Sequence, residues 1–568
     1  MNQRSRYLDS PKKHFGNFSL VWLCLGAMLV IQVVLLFYFA AQRQGYHVDE
    51  LFTYFLSNNS APNAPYPKNE SDYLAVWHTA DYFRSFLTCD PSEQFQFGFV
   101  YMNQCSDVLG PLYFVLFHLV CSFVPGTFSI YPIVAMHAAL FVLSGILLWQ
   151  MGRRLLHSDW AALLPVALWG FSAGAVSAGL YLRVYALLLF FLVLITFLAF
   201  RVAEHALYGE GPCISKRCVA AIAFATAGGL LTHYYFVLYT LFLGLTLGAY
   251  LLLQHRKQDF HRALCGVFLG VGGGILIFPA SIMQAFTSYR ARGAWGQVAQ
   301  GGPNWAGTLG VYLDALRREL FGPQAAAVLF FAVLGVILVL LLVRTARRRA
   351  AGAFQKPAPE TVCRAFELLM AAAGGTGYVV FVALVAPYAA SRYVYPVFPI
   401  ALFLAGSILD LGVRALAKRR GLRAVCGVCL LLFSLGISSA ALGRGNVENL
   451  LPAELQTQYA TTRDVEEKAA QNAGAYALVY FPAEYIEHTY YLYPEFLNDA
   501  GICLLTETQK PRLSALAAEV PDDAPLLLYA KFSTGNVMDQ VLEIAHAFGR
   551  TQAEALYPDR EFMVYRLS

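Results

Sequence analysis

The chain has 568 residues, 58% hydrophobic and 14% charged, with a mean hydropathy of +0.51 and a formal charge of +5. Roughly a quarter of a soluble domain is charged, so this composition excludes an ordinary soluble protein and implies a polytopic membrane protein. The Lys and Arg fall in short clusters between apolar runs and form no basic face, which leaves nucleic acid no footing as a partner.

In chain order, the first apolar run, 18–41, follows Lys12 and Lys13. It is longer than the roughly 7–15 residues of a signal-peptide core and reads as a retained helix. Ten further runs have the length and hydropathy of spanning helices: 130–150, 159–180, 184–201, 218–232, 236–254, 264–282, 324–343, 365–387, 393–413 and 423–443. One more, 111–124, has only 14 residues, a length suited to an interfacial or re-entrant segment. Positive-inside bookkeeping decides its placement. If 111–124 lies in the interface, Lys12/Lys13, Arg153/Arg154, Arg201/Lys216/Arg217, Arg256/Lys257/Arg262, Arg344/Arg347/Arg348/Arg349 and Arg414/Lys418/Arg419/Arg420/Arg423 all share the cytoplasmic side. If it spans, every cluster after the first moves outside.

The expected organisation is therefore about eleven spanning helices over 1–443, with interfacial helices in a first external loop at about 42–129. A composition shift near Asn446 opens a small α/β domain over 444–568. There, short apolar strands at 476–481, 501–507, 525–530 and 562–567 alternate with helical patterns near 462–472, 485–498, 511–519 and 534–547. The N-terminus is expected in the cytoplasm, the C-terminal domain outside, and the protein in a bacterial plasma membrane.

The polar outliers fall almost entirely on external segments. Asp49 and Glu50 in "GYHVDELFTYF" stand just beyond the first span, with Phe52, Tyr54 and Phe55 suited to a helix at the membrane surface. Asp107 precedes the interfacial segment, which Pro111 can start. Arg183 and Tyr185 occupy one external turn, His233, Tyr234 and Tyr235 another, and Arg392 with Tyr388, Tyr393 and Tyr395 a third. Taken singly, these are solvated loop carboxylates, a snorkelling arginine and interfacial anchors. Together they describe a site with carboxylates able to deprotonate a hydroxyl or ligate a metal, and guanidinium groups able to fork onto phosphate. Eleven cysteines are scattered, and Cys426 and Cys429 in a spanning run read as packing. Cys89 and Cys105 share the first external loop and are either a disulfide or two free thiols.

At these residues the chain resembles the GT-C glycosyltransferases, in particular the bacterial relatives of protein O-mannosyltransferases and the aminoarabinose transferases of lipid A. The resemblance runs in order over about 45–400. It consists of Asp49-Glu50 after the first span, Asp107-Val-Leu-Gly-Pro111-Leu112-Tyr113 against "DxHPPLY", Leu182-Arg183-Val-Tyr185-Ala186-Leu187 against "ARxYAL", Thr232-His233-Tyr234, and Arg392-Tyr393-Val-Tyr-Pro396-Val-Phe-Pro399. Leu109-Gly110 replaces the usual His-Pro, and Tyr181-Leu182 stands where a glutamate is common.

The resemblance implies an inverting transferase that uses a polyprenyl-phosphate sugar at the extracytoplasmic face, with a protein, lipid or cell-wall glycan as acceptor. It implies Asp49 as catalytic base with Glu50 supporting it, and Asp107 as a second acid near the acceptor or, with Asp49, a divalent metal. Arg183 and Arg392 are assigned to the phosphate by charge, with Tyr185, His233, Tyr234 and Tyr393 lining the substrate. The rivals are a secondary transporter, which usually carries charges or broken helices at mid-membrane, and a polymerase or ligase for lipid-linked glycans. "GVGGG" at 270–274 is the one interruption of transporter type and reads as close helix packing.

Overall fold

The computed structural model describes residues 15–43, 45–60, 73–208, 213–302, 304–350, 358–417, 420–443 and 462–568. Lys12, Lys13, Lys418, Arg419 and the onset of the C-terminal segment at 444–461 lie outside the described residues. The chain forms two compact units: Met1–Ala41, Val108–Tyr113 and Val134–Glu448, and Gln42–Asp107, Phe114–Ile133 and Asn449–Ser568.

The first unit is helical. Among the described residues, seven helices are long and apolar enough to cross a membrane: Leu20–Gln42, Tyr131–Leu156, Tyr185–Tyr208, Phe236–Leu253, Lys257–Ile277, Pro359–Val385 and Ser391–Ala415. Two bent pairs raise the number to nine if each is one span. The expected span at 159–180 is such a pair, Leu163–Gly170 and Ala173–Leu180, bent by 60°. Ser172 stops the first helix and caps the second, its hydroxyl accepting from Ala175 N–H. The other pair, Trp305–Phe321 and Gln324–Ile337, turns by 86° at Gly322, whose φ of 71° suits glycine, and at Pro323, which lacks a backbone donor. The last two expected spans are shorter: Lys216–Thr232 has 17 residues, and the apolar part of Arg420–Gly443 is Val425–Ala440.

Glycines set how closely these helices approach. An ideal Cβ on Gly270 would lie 2.5 Å from Thr226 Cβ and 2.6 Å from Ala223 O, and one on Gly266 would lie 3.0 Å from Ile222 Cβ. The stripe at i and i+4 therefore seats Lys257–Ile277 on Lys216–Thr232, which accounts for Gly270 of the "GVGGG" run as packing, whereas a Cβ on Gly272 or Gly273 would meet nothing within 4 Å. Gly110 is tighter still, because its Cβ would fall 2.1 Å from the carbonyl oxygen of Leu231, a backbone atom that no rotamer change can move. Gly110→Ala is expected to cost about 1–3 kcal/mol through overpacking, read as a lowered melting temperature of the detergent-solubilised chain.

The second unit is built around a six-stranded sheet. Its strands are β1 (Trp77–His78), β2 (Tyr476–Phe481), β3 (Gly501–Thr506), β4 (Leu526–Ala530), β5 (Ala553–Asp559) and β6 (Phe562–Leu567), in the order β1-β3-β2-β4-β6-β5. β2 runs parallel to β3 and β4, while β6 is antiparallel to β4 and to β5. β1 comes from the segment that follows the first apolar helix and pairs antiparallel with β3, so that segment and the C-terminal residues complete one sheet. Strands β2 to β4 are buried along almost their whole length, as their continuous apolar runs require. Leu478, Leu505 and Leu528 pack with Leu513, Leu516, Val541 and Ile544 in the core. Two expected helices are largely 3-10: Ala483–Leu492 with Phe496–Asn498, and Glu507–Arg512 leading into Leu513–Ala517. Pro494 and Pro511 withhold the donors an α-helix needs there.

Asp499 follows the second of these turns, and burial pushes its carboxyl up to about 7. The folded state therefore opposes the ionised form. Stability from this group is complete below the ordinary carboxylate range and is lost as pH rises toward 7. Asp499→Asn is expected to stabilise the chain by up to about 4 kcal/mol at pH 8 and negligibly at pH 4. Melting temperatures of variant and wild type at the two pH values check this.

Candidate active site

The helix Val48–Asn58 starts at His47, whose backbone is extended. His47 Nδ1 accepts from Asp49 N–H at 3.1 Å, and Glu50 Oε2 accepts from His47 N–H at 2.8 Å, so ring and carboxylate cap the helix reciprocally. Glu50 also pairs with Arg43, and both side chains are buried. The guanidinium of Arg43 lies 5.6 Å from the ring centre of Tyr46. The two adjacent acids thus differ in circumstance. Glu50 is enclosed with a cation, while the Asp49 side chain keeps 17% exposure with Oδ2 3.9 Å from His47 Nδ1. Both stand in the first turn, where the helix dipole favours an anion.

The aromatic residues of this helix face protein. Tyr54 is buried and donates to Ser129 O at 2.7 Å, Phe55 stacks on Phe86 at 4.7 Å, and Phe52 meets Tyr490 edge-on at 5.3 Å. They anchor the helix to the sheet-containing unit, which holds the backbone around Asp49 in place.

In the helical unit, several turns bring their polar residues together. Arg183 stands between Ala173–Leu180 and Tyr185–Tyr208, and its side chain is buried, with its backbone N–H on Tyr181 O at 2.7 Å. The Tyr185 ring lies 5.9 Å from that of Tyr181, 5.9 Å from His233 and 6.1 Å from Tyr393. Arg392 stands over Tyr181, Tyr388 and Tyr393 at 5.9, 5.7 and 5.8 Å, a geometry that favours the cation. Arg183 and Arg290 both lie close enough to His233 for their charge to act on it. His233 Nδ1 accepts from Tyr235 N–H at 3.0 Å, and Tyr378 donates to Tyr393 O at 2.8 Å, locking two of the turns.

Arg183, Tyr185, His233, Arg392 and Tyr393 therefore share one neighbourhood. Tyr234 points elsewhere, its hydroxyl donating to Gln284 Oε1. Asp107 ends the helix Phe97–Ser106, its N–H on Asn103 O and Gln104 O, with the side chain half-buried. Cys89 and Cys105 are not disulfide-bonded to each other, and Cys89 Sγ lies 3.9 Å from Ser122 Oγ. Among the described residues, no three His, Cys, Asp or Glu side chains gather as a metal-binding group.

Sequence reasoning missed Arg43, Arg290 and Tyr181. Arg43 had a legible signal, being a lone cation directly after the first apolar run and at the opposite end from Lys12 and Lys13. Arg290 lies in the helix Tyr289–Ala299 beside Arg292, and nothing in its local sequence distinguishes it from a solvated arginine.

Along almost its whole length, the chain has counterparts among solved structures. ArnT from Cupriavidus metallidurans bound to undecaprenyl phosphate is 14% identical, with 96% of this chain and 98% of that chain covered and a TM-score of 0.49. Its apo form gives 15%, the same coverage and the same TM-score. The archaeal oligosaccharyltransferase AglB from Archaeoglobus fulgidus, in complex with an inhibitory peptide and a dolichol-phosphate, is 10% identical over 96% of this chain and 74% of that chain, with a TM-score of 0.41. No family model and no curated protein matches the chain.

Proposed function

We propose that this protein is an inverting glycosyltransferase that moves a sugar from a polyprenyl-phosphate donor to an acceptor hydroxyl at the extracytoplasmic membrane face. The observation that carries this reading is the gathering of Arg183 and Arg392 with Tyr185, His233 and Tyr393 in one buried neighbourhood of the helical unit. Two guanidinium groups, Arg392 held against phenol rings and Arg183 beside His233, suit a phosphate better than any neutral ligand. The 3-10 helix Ser391–Val397 that carries Arg392 also supplies Val397 to an apolar cavity of about 300 Å³, lined further by Leu313, Val379 and Ile400. An isoprenoid chain attached to a phosphate has the chemistry for that cavity.

In the proposed reaction Asp49 takes the proton of the acceptor hydroxyl, and its oxygen bonds to the anomeric carbon. The bond from that carbon to the phosphate oxygen breaks on the opposite face, which inverts the configuration. The departing electron pair stays on the polyprenyl phosphate, where Arg183 and Arg392 stabilise the added charge. Glu50 supports Asp49 by fixing Arg43 and the start of the helix. Asp49 and Asp107 are two carboxylates of the same unit, the number that a hard divalent ion typically takes from protein before substrate phosphate completes its shell, and such an ion would add charge stabilisation. The acceptor is a protein, lipid or glycan hydroxyl, and the expected setting is a bacterial plasma membrane.

The test is to incubate the purified protein with a panel of radiolabelled polyprenyl-phosphate sugars and follow release of the sugar from lipid. Turnover of at least one donor is expected; turnover of none would overturn the reading. Arg392→Gln should weaken donor use at least tenfold, since it removes a charge-assisted contact worth about 1.5–3 kcal/mol. A secondary transporter would instead move solute into proteoliposomes without consuming a donor.

A further inference from the structure

The sheet-containing unit has a cavity of its own, of about 240 Å³, a size that suits one sugar ring. Tyr46, Phe128 and Tyr491 contribute rings to its walls, and Glu495, Asn498 and Arg560 contribute polar groups. The rings of Tyr46 and Phe128 lie 4.5 Å apart and are inclined by 33°. Arg560 stands 5.2 Å over the ring of Tyr491 and donates from one terminal nitrogen to Glu495 Oε1 and to Asp559 Oδ1, both at 3.1 Å.

Three features set this cluster apart from a structural ion pair. Arg560 takes a φ of 54°, a left-handed conformation that costs a non-glycine residue about 1 kcal/mol or more. The carboxylate side chains are only 3% and 1% exposed, and a buried charge cluster of this kind is seldom more stable than apolar packing of the same volume. Finally, Arg560 Nε is buried without a hydrogen-bond partner among the described residues, while the carboxyls of Glu495 and Asp559 also hydrogen-bond each other. One donor remains to be satisfied, and the Glu495 carboxyl and three aromatic rings line the cavity beside it.

The sign of the charges narrows the ligand. An anion would meet two carboxyl groups, and a cation would meet Arg560. Burial, followed by the nearby charge of Asp559, raises the carboxyl of Glu495 well above its usual range against the opposing effect of Arg560, so the cluster offers an ion of either sign no unopposed partner. A neutral molecule fits best if it has adjacent hydroxyls that both donate and accept, and C–H faces that pack on rings.

We propose that this cavity binds a sugar ring of the acceptor, making the acceptor a carbohydrate. The acceptor role rests on the glycosyltransferase reading above; the binding of sugar does not. Glu495 and Arg560 take the ring hydroxyls, Tyr491 packs against its face, and Asn498 at the rim adds a further donor and acceptor.

The test uses the full chain, purified in a detergent without a sugar headgroup, on an array of hexose, hexosamine and pentose oligosaccharides. Wild type and Asp49→Asn should retain the same array sugars, and Tyr491→Ala and Asn498→Ala should each lose at least tenfold in retention. Asn498 is exposed, so its substitution keeps the test decisive even where Tyr491→Ala lowers the melting temperature and is set aside. Retention of no array sugar, or retention that survives substitution in a folded variant, overturns the proposal. Array binding without donor turnover would sink the transferase reading and leave the sugar subsite standing. Donor turnover without array binding would do the reverse.

Discussion

Asp49→Asn is expected to lower transfer from a polyprenyl-phosphate sugar by about 10²- to 10⁴-fold, the range over which a positioned general base contributes. The substitution keeps the shape of the side chain and removes only its ability to hold a proton at neutral pH. Asp49 is not the cap of its helix, since His47 Nδ1 and Glu50 Oε2 perform that task. What the fold loses is one first-turn anion, worth about 0.3–1 kcal/mol. The result that checks this is a collapse of turnover with a melting temperature nearly that of the wild type. Full turnover by Asp49→Asn would remove Asp49 from the chemistry.

One residue further on, the expectation reverses in kind. Glu50→Ala leaves Arg43 buried without its carboxylate and His47 N–H without its acceptor. Breaking a buried pair by removing one partner costs about 3–5 kcal/mol, because the remaining charge is stranded away from water. Loss of structure around the helix start should appear as a large drop in melting temperature and in folded yield. Glu50→Gln, which still accepts a hydrogen bond, should recover part of that loss. A second substitution, Arg43→Met, made together with Glu50→Ala should recover more than the sum of the single effects allows, since it removes the stranded charge. A Glu50→Ala variant that melts like the wild type would show that the pair does not hold the helix start.

These neighbouring acids also show why sequence reading reached some features and not others. "VDE" just past a span was legible as a polar outlier, and both acids could be named. Their separate fates were not legible. The residue three before Glu50 is a histidine, outside the Ser, Thr, Asp and Asn set that announces a helix cap, and Arg43 looked like the end of a span. Similarly, β1 is a two-residue strand with no periodicity to read, and β5 contains Pro558 and charged residues that weaken its pattern. The long apolar strands β2, β3 and β4 were placed within a residue or two, because burial on both faces writes a continuous run into the sequence.

By itself, the sequence determined that this chain is a polytopic helical membrane protein with an α/β C-terminal segment, and which polar residues stand out from its apolar background. Hydropathy and periodicity are sums over neighbouring residues, so they survive in a linear string. Only the tertiary structure decided that Arg183, Tyr185, His233 and Arg392 share a neighbourhood with the unsuspected Arg290, and that Glu50 is buried against Arg43 while Asp49 keeps some exposure. It also decided that Glu495 and Arg560 wall a cavity, with Asp559 paired to Arg560. Those facts depend on how separate turns are brought together and on where each Cβ points, and packing over long sequence separations sets both.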